Sequence, residues 1–211
     1  MTINDKVLSQ VESEKAFWLS DPFERPGVDT LENFHNKAQD SAIFFDLVRG
    51  LSTDLPTQST IVELGGGQGW ASCVIKRLNP TAYVVLTDAV DGAIQSRVIW
   101  ERVFDCTLDG AVATPVQQLP FEDRSVDLLF CYAAAHHFVD HVGALQETKR
   151  VMATTGKCLW LYEPSAPQWL QAAAERRVNR KRPDVPEHVL VPKQIASIAR
   201  SIDLNCTIEY C

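Results

Sequence analysis

An α/β fold of the Rossmann-like, doubly wound kind, a mostly parallel sheet with helices on both faces, is predicted by three features of this 211-residue sequence. Strand-like and helix-like segments alternate from residue 60 onward. Two of the strands, Ala82 to Thr87 and Ser125 to Cys131, are the near-continuous apolar runs expected when both faces of a strand are buried. The first strand runs directly into a turn with glycine at 65, 66, 67 and 69.

Ile61 to Leu64 is the first strand, and the helix after the glycine turn runs from about Trp70 to Leu78, where Asn79-Pro80 ends it. The second strand, Ala82 to Thr87, finishes at Asp88. A helix over Asp91 to Val103 and a short strand around Gly110 to Ala113 lead into Leu119-Pro120-Phe121. The fourth strand follows at Ser125 to Cys131, then a helix from Gly143 to Met152 punctuated by Gly156. Lys157 to Tyr162 is the fifth strand, closed by Glu163-Pro164. Two further helices are read near Gln168 to Arg180 and from Pro192 to Ser201, and Leu204 to Tyr210 has strand character.

Residues 1–50 differ in kind and are read as an N-terminal helical cap on a domain of residues 51–211. Met1 to Leu19 carries a modest apolar stripe, and Phe44, Leu47, Val48 and Leu51 give a helix over Ser41 to Leu51. Asp21 to Gly27 is a loop by its prolines and glycine. Phe17, Trp18 and Phe23 either staple the cap to the domain or line a lid over a substrate.

Composition narrows the function classes. A 45% hydrophobic content supports a sizeable core, and a net charge of -7 argues against non-specific nucleic-acid binding, which needs a basic surface. Arg176, Arg177, Arg180, Lys181 and Arg182 form a local basic run, read as a solvated helix end or as a docking patch for an anionic partner. The six cysteines contain no C-x-x-C pair and follow no signal peptide, so reduced thiols and a cytoplasmic location are expected. No apolar run approaches the roughly 20 residues that cross a bilayer, so no membrane association is expected. His136, His137 and His141 lack a carboxylate at a telling interval, and no metal site is expected.

The glycine turn is the form of a cofactor loop, because glycine lets a ligand approach the main chain and a helix starting at Trp70 aims N–H groups at it. The dinucleotide fingerprint G-x-G-x-x-G is absent: pairing Gly65 with Gly67 puts Trp70 where the third glycine belongs. What stands instead is Glu63-x-Gly65-x-Gly67-x-Gly69. A carboxylate there repels a pyrophosphate but suits a ligand with an ammonium or sulfonium group, and S-adenosylmethionine carries both. In a doubly wound sheet Asp88 stands about one strand spacing from this turn, where a carboxylate accepts ribose hydroxyl hydrogens.

With these residues in place the chain resembles the class I S-adenosylmethionine-dependent methyltransferases, in the small-molecule group with a Leu-Pro-Phe motif before strand four. The resemblance covers roughly residues 40–165. Its marks are Val62 to Gly69, Asp88, Leu119-Pro120-Phe121-Glu122-Asp123, Val126-Asp127, Ala135-His136-His137-Phe138, and Glu147 through Gly156 to Glu163-Pro164. It implies transfer of a methyl group to a small molecule, with oxygen somewhat ahead of nitrogen or carbon as the acceptor. The alternative is a non-catalytic or degenerate protein that binds S-adenosylmethionine, and a nicotinamide-dependent oxidoreductase is the remaining reading.

The resemblance also implies roles. Gly65, Gly66, Gly67 and Gly69 form the turn under the methionine part of the cofactor, with Glu63 acting on its ammonium group. Asp88 binds the ribose, Ala89 lies beside the adenine, and Val116 and Gln117 supply adenine contacts. Cys131 offers its carbonyl to the ammonium, and Asp127 is structural. The pattern departs at Pro115, where an acidic residue commonly accepts from the adenine amino group. Adenine is then held by Thr114, Gln117 or main-chain carbonyls, or less tightly by roughly 1 kcal/mol. Strand seven of the family is missing, since the sequence stops at Cys211 about where strand six ends. The expectations are an open edge on strand five and a natural truncation, a partial chain or a partner chain, of which a homodimer is one form.

Methyl transfer from a sulfonium is an in-line displacement on an activated donor, so alignment does much of the work and a base is needed only when the acceptor must lose a proton. His136 and His137 lie just past strand four, and His137 is the candidate base. The other reading packs the pair at the start of the next helix. Glu163 either orients the acceptor or bonds to nearby backbone.

Overall fold

Strands β1 (Thr60–Leu64), β2 (Tyr83–Asp88), β3 (Gly110–Ala113), β4 (Val126–Tyr132) and β5 (Met152–Leu161) form one parallel sheet in the order β3-β2-β1-β4-β5. The computed structural model describes residues 30–49, 58–180 and 188–209, with Glu12, Ser13, Ala16, Ser20, Asp21 and Arg25. Phe17, Trp18, Phe23, Lys181, Arg182 and Tyr210 lie outside the described residues, and so does most of the expected first helix. Among the described residues the α-helices with defined bounds are α1 (Leu31–Val48), α2 (Trp70–Leu78), α3 (Asp91–Gln95), α4 (Arg97–Val103), α5 (His141–Val151), α6 (Gln171–Asn179) and α7 (Pro192–Ser201), and Ala135–His137 form a 3-10 turn.

Period-two alternation sends successive strand residues to two cores. Ile61, Leu128, Phe130 and Tyr132 pack with Phe44 of α1, Val74 of α2 and Trp100 of α4. Val62, Leu64, Leu129 and Cys131 pack on the other face with Ala144 and Val151 of α5. Helices therefore cover both faces, as the apolar strands required. Asp127, near the start of β4, accepts from Thr60 N (2.8 Å) and ties the beginnings of the two central strands together.

Several elements differ from the sequence reading. α1 begins at Leu31, ten residues before the expected Ser41, capped by Thr30, whose side chain accepts from Asn33 N (3.1 Å). Its first half buries Asn33 and Lys37, so no apolar stripe marks it. The helix expected over Asp91 to Val103 breaks at Ser96, whose hydroxyl donates to Ala93 O (2.7 Å).

Gly156 does not close a helix; it lies inside β5, which starts at Met152 and shifts register between Val126 and Leu128 of β4. A Cβ at Gly156 would meet Val126 O at 2.9 Å, so the bulge needs glycine for close backbone approach. Leu204 to Glu209 joins no strand, and among the described residues β5 pairs only with β4. No described helix is long and apolar enough to cross a membrane.

Candidate functional site

Glycine is required at four positions of the turn joining β1 to α2, for two different reasons. Gly65, Gly67 and Gly69 have φ of 63°, 53° and 79°, the left-handed region that strains other residues. At Gly66 space decides: a Cβ would lie 2.4 Å from both Glu63 Cδ and Leu86 Cδ1. Gly66 N donates to Thr87 O (3.0 Å) and Gly69 N to Gly66 O (2.9 Å), which closes the turn.

Asp88 holds this turn from the end of β2. Its Oδ2 accepts from Gly67 N (2.9 Å) and its Oδ1 from Val90 N (2.7 Å). Burial pushes the carboxyl above its ordinary pKa, while the Val90 and Gly67 N–H groups act against that shift. Each oxygen retains a second acceptor position. Gly65, Gly66, Gly67, Asp88 and Ala89 line one cleft of about 1490 Å³, which crosses the C-terminal ends of all five strands. In open α/β sheets this is where ligands bind.

Glu63 turns the other way. It is 2% exposed and lies under the turn, off the cleft wall. Its Oε2 accepts from Ser72 N (2.9 Å) and from the Ser72 hydroxyl. Gly69, the N-cap of α2, has no side chain, so Glu63 supplies the missing cap from the preceding strand. Burial pushes its carboxyl up from 4.5 to about 8, against the two hydrogen bonds from Ser72.

Thr114, Pro115, Val116 and Gln117 form another stretch of the wall. Gln118 N donates to Pro115 O (3.0 Å) and Thr114 Oγ1 to Gln118 O (2.5 Å), so a tight turn presents Val116 and Gln117. Leu119-Pro120-Phe121 lies behind this wall and is clamped from α5. Arg150 donates to Leu119 O and Phe121 O (both 2.9 Å), and Leu119 N donates to Glu147 Oε1 (2.7 Å).

The ends of β4 and β5 complete the site. Cys131 is fully buried in the sheet, and the wall at this point is made by Tyr132, Ala133 and Ala134. The Tyr132 ring stacks on Tyr162 (centroids 5.1 Å apart, planes at 4°), and its hydroxyl is buried without a hydrogen-bond partner among the described residues. Ala133 and Tyr162, just past the two strands, take left-handed φ of 48° and 58°. Backbone strain of this kind gathers at functional sites.

Glu163 sits in a nest of main-chain donors. Oε1 accepts from Ala134 N (2.9 Å) and Ala135 N (2.8 Å), and Oε2 accepts from His136 N (3.1 Å) and lies 2.8 Å from His136 Nδ1. His136 and His137 both line the cleft, with ring centroids 4.0 Å apart. The carboxylate thus bonds to backbone and to an imidazole at once, across 27 to 29 residues of sequence that no local pattern connects. Among the described residues no cluster of metal-ligating side chains is found.

Comparison with known proteins accords with this geometry. Residues 62–160 match the model of a family described as a methyltransferase domain. An uncharacterised methyltransferase of Schizosaccharomyces pombe is 30% identical over 122 residues, which are 56% of this chain and 45% of that protein. The chain spans about half the length of the curated relatives it matches. Among solved structures, the YcgJ protein of Bacillus subtilis superposes with a TM-score of 0.66 at 18% identity, covering 76% of this chain and 67% of that one. Geranyl diphosphate C-methyltransferase of Streptomyces coelicolor, solved with Mg2+, geranyl diphosphate and S-adenosyl-L-homocysteine, has a TM-score of 0.61 at 13% identity and covers 91% and 78%. At these identities the structural likeness concerns the fold.

Proposed function

We propose that this chain, which carries a methyltransferase domain of the class I S-adenosylmethionine-dependent family, transfers the cofactor's methyl group to a small-molecule acceptor, with oxygen favoured as the accepting atom. The observation that carries the reading is the carboxylate of Asp88 closing the glycine turn through Gly67 N–H on the wall of the cleft. A dinucleotide fits poorly, because Trp70 fills the third-glycine position and packs into the core against Phe44 and Tyr132.

The residues present suit S-adenosylmethionine. Gly66 leaves the turn no space for a side chain, and Asp88 keeps two acceptor positions for ribose hydroxyls. Ala89, Val116 and Gln117 offer adenine an apolar wall and one amide, which stands in for the carboxylate absent at Pro115. Main-chain oxygens at Tyr132, Ala133 and Gly65 would receive the methionine ammonium, and Glu63 acts indirectly by holding α2 and the turn in place. When bound, the cofactor supplies a methyl group already activated by its sulfonium charge. The chain's part is then to align the acceptor and exclude water.

The test is incubation with S-adenosylmethionine labelled in the methyl group and panels of hydroxyl, amine and activated-carbon small molecules. Label in an extractable small molecule is expected, most of it from the hydroxyl panel. Label found only in protein or nucleic acid would overturn the small-molecule reading.

A further inference from the structure

The pair Glu163–His136 is more than packing, because of what it leaves open. The Glu163 side chain is 8% exposed and the His136 side chain 7%, and three main-chain N–H groups fix the carboxylate. A carboxylate can only accept, so the 2.8 Å contact places the hydrogen on Nδ1 of His136. With the hydrogen on Nδ1, Nε2 is the atom that carries the free lone pair in the neutral form of the ring. No hydrogen bond to that atom is found among the described residues, and His136 lines the cleft. The neighbouring His137 also lines the cleft and is the more exposed residue of the two, but its Nδ1 is buried, and the Glu163 carboxylate bonds to the ring of His136.

We propose that His136, and not His137, is the base of this site, with Glu163 as the positioning residue that fixes its tautomer. This rests on the methyl-transfer reading above and narrows its acceptor to one that must lose a proton, a hydroxyl. The acceptor O–H bond breaks, the proton forms an N–H bond at Nε2, and the electron pair stays on oxygen, where it becomes the nucleophile. Glu163 stabilises the imidazolium so formed, and the step needs no oxidant or reductant. A neutral amine attacks through its existing lone pair and has no need of such an arrangement beforehand.

Histidine labelled with 15N, read by two-bond 1H–15N correlation in the full chain with and without S-adenosylhomocysteine, tests this without an acceptor; His136→Gln assigns the signal. The expected result is that the neutral ring of His136 is the Nδ1–H tautomer. Glu163→Gln should make it the mixed or Nε2–H form, since an amide can also donate. An Nε2–H tautomer for His136 in the wild type overturns the assignment. Both tautomer outcomes are read from the wild-type spectrum, so a Glu163→Gln variant that failed to fold would leave the test intact. Failure to bind S-adenosylhomocysteine with the tautomer as expected would instead sink the cofactor reading.

Discussion

Replacing Glu63 by Gln keeps the shape of the side chain and an oxygen for Ser72 N–H, and removes only the ionisable proton. In the folded protein this carboxyl is pushed from 4.5 to about 8 by burial. Between those values the folded state holds a proton that the unfolded state has shed, so wild-type stability falls as pH rises through the window. Each pH unit inside it corresponds to about 1.4 kcal/mol, and the loss between pH 6 and 8 comes to roughly 2 kcal/mol from this group alone. Urea unfolding of wild type and Glu63→Gln at a series of pH values measures it. The wild type should lose stability relative to the variant by that amount as pH rises, with equal urea dependence in both. Parallel pH profiles would refute the reasoning, and a wild type that gains on the variant with rising pH would show that the N-terminus of α2 keeps the carboxylate ionised.

Other substitutions report on the same architecture. Gly66→Ala should destabilise by roughly 1–3 kcal/mol through overpacking against Glu63 and Leu86, whereas Gly92→Ala, with open space around it in α3, should be neutral or stabilising; equal effects in urea melts would contradict the packing argument. Arg150→Met removes the clamp on Leu119 and Phe121 and should lower stability by roughly 1–2 kcal/mol, discounted for the exposure of its ion pairs. Hydrogen exchange at the Leu119 amide should speed up in that variant, and unchanged exchange would count against a clamp. Tyr132→Phe deletes a buried hydroxyl that has no partner among the described residues and should raise stability by about 1 kcal/mol; a clear loss would mean that the hydroxyl is satisfied.

The β1–turn–α2 unit was legible because its signals are local: an apolar run, four glycines, and Asn79-Pro80 ending the helix where α2 stops. α7 was equally clear, with Pro192 at its first position. The beginning of α1 was hidden because Asn33 and Lys37 face inward, so burial there does not follow hydropathy. β5 was shortened in the reading because Gly156 looks like a helix stop until the nearby backbone of β4 is known. At the site, the sequence placed Asp88 beside the glycine turn but could not orient Glu63. A strand-end carboxylate can face a ligand or the next helix, and here Ser72, nine residues on, draws it to α2. Glu163 and His136 were each visible, yet their bond joins the ends of two different strands and belongs to tertiary structure alone.

Calorimetric titration of S-adenosylhomocysteine into wild type and Asp88→Ala, each checked for a cooperative unfolding transition, bears most directly on the claim that the glycine turn and Asp88 form the cofactor site. The account predicts micromolar binding to the wild type and at least about tenfold weaker binding to the variant, the effect of losing roughly 1.4 kcal/mol of ribose contact and loop support. Equal affinities, or no binding by folded wild type, would contradict it.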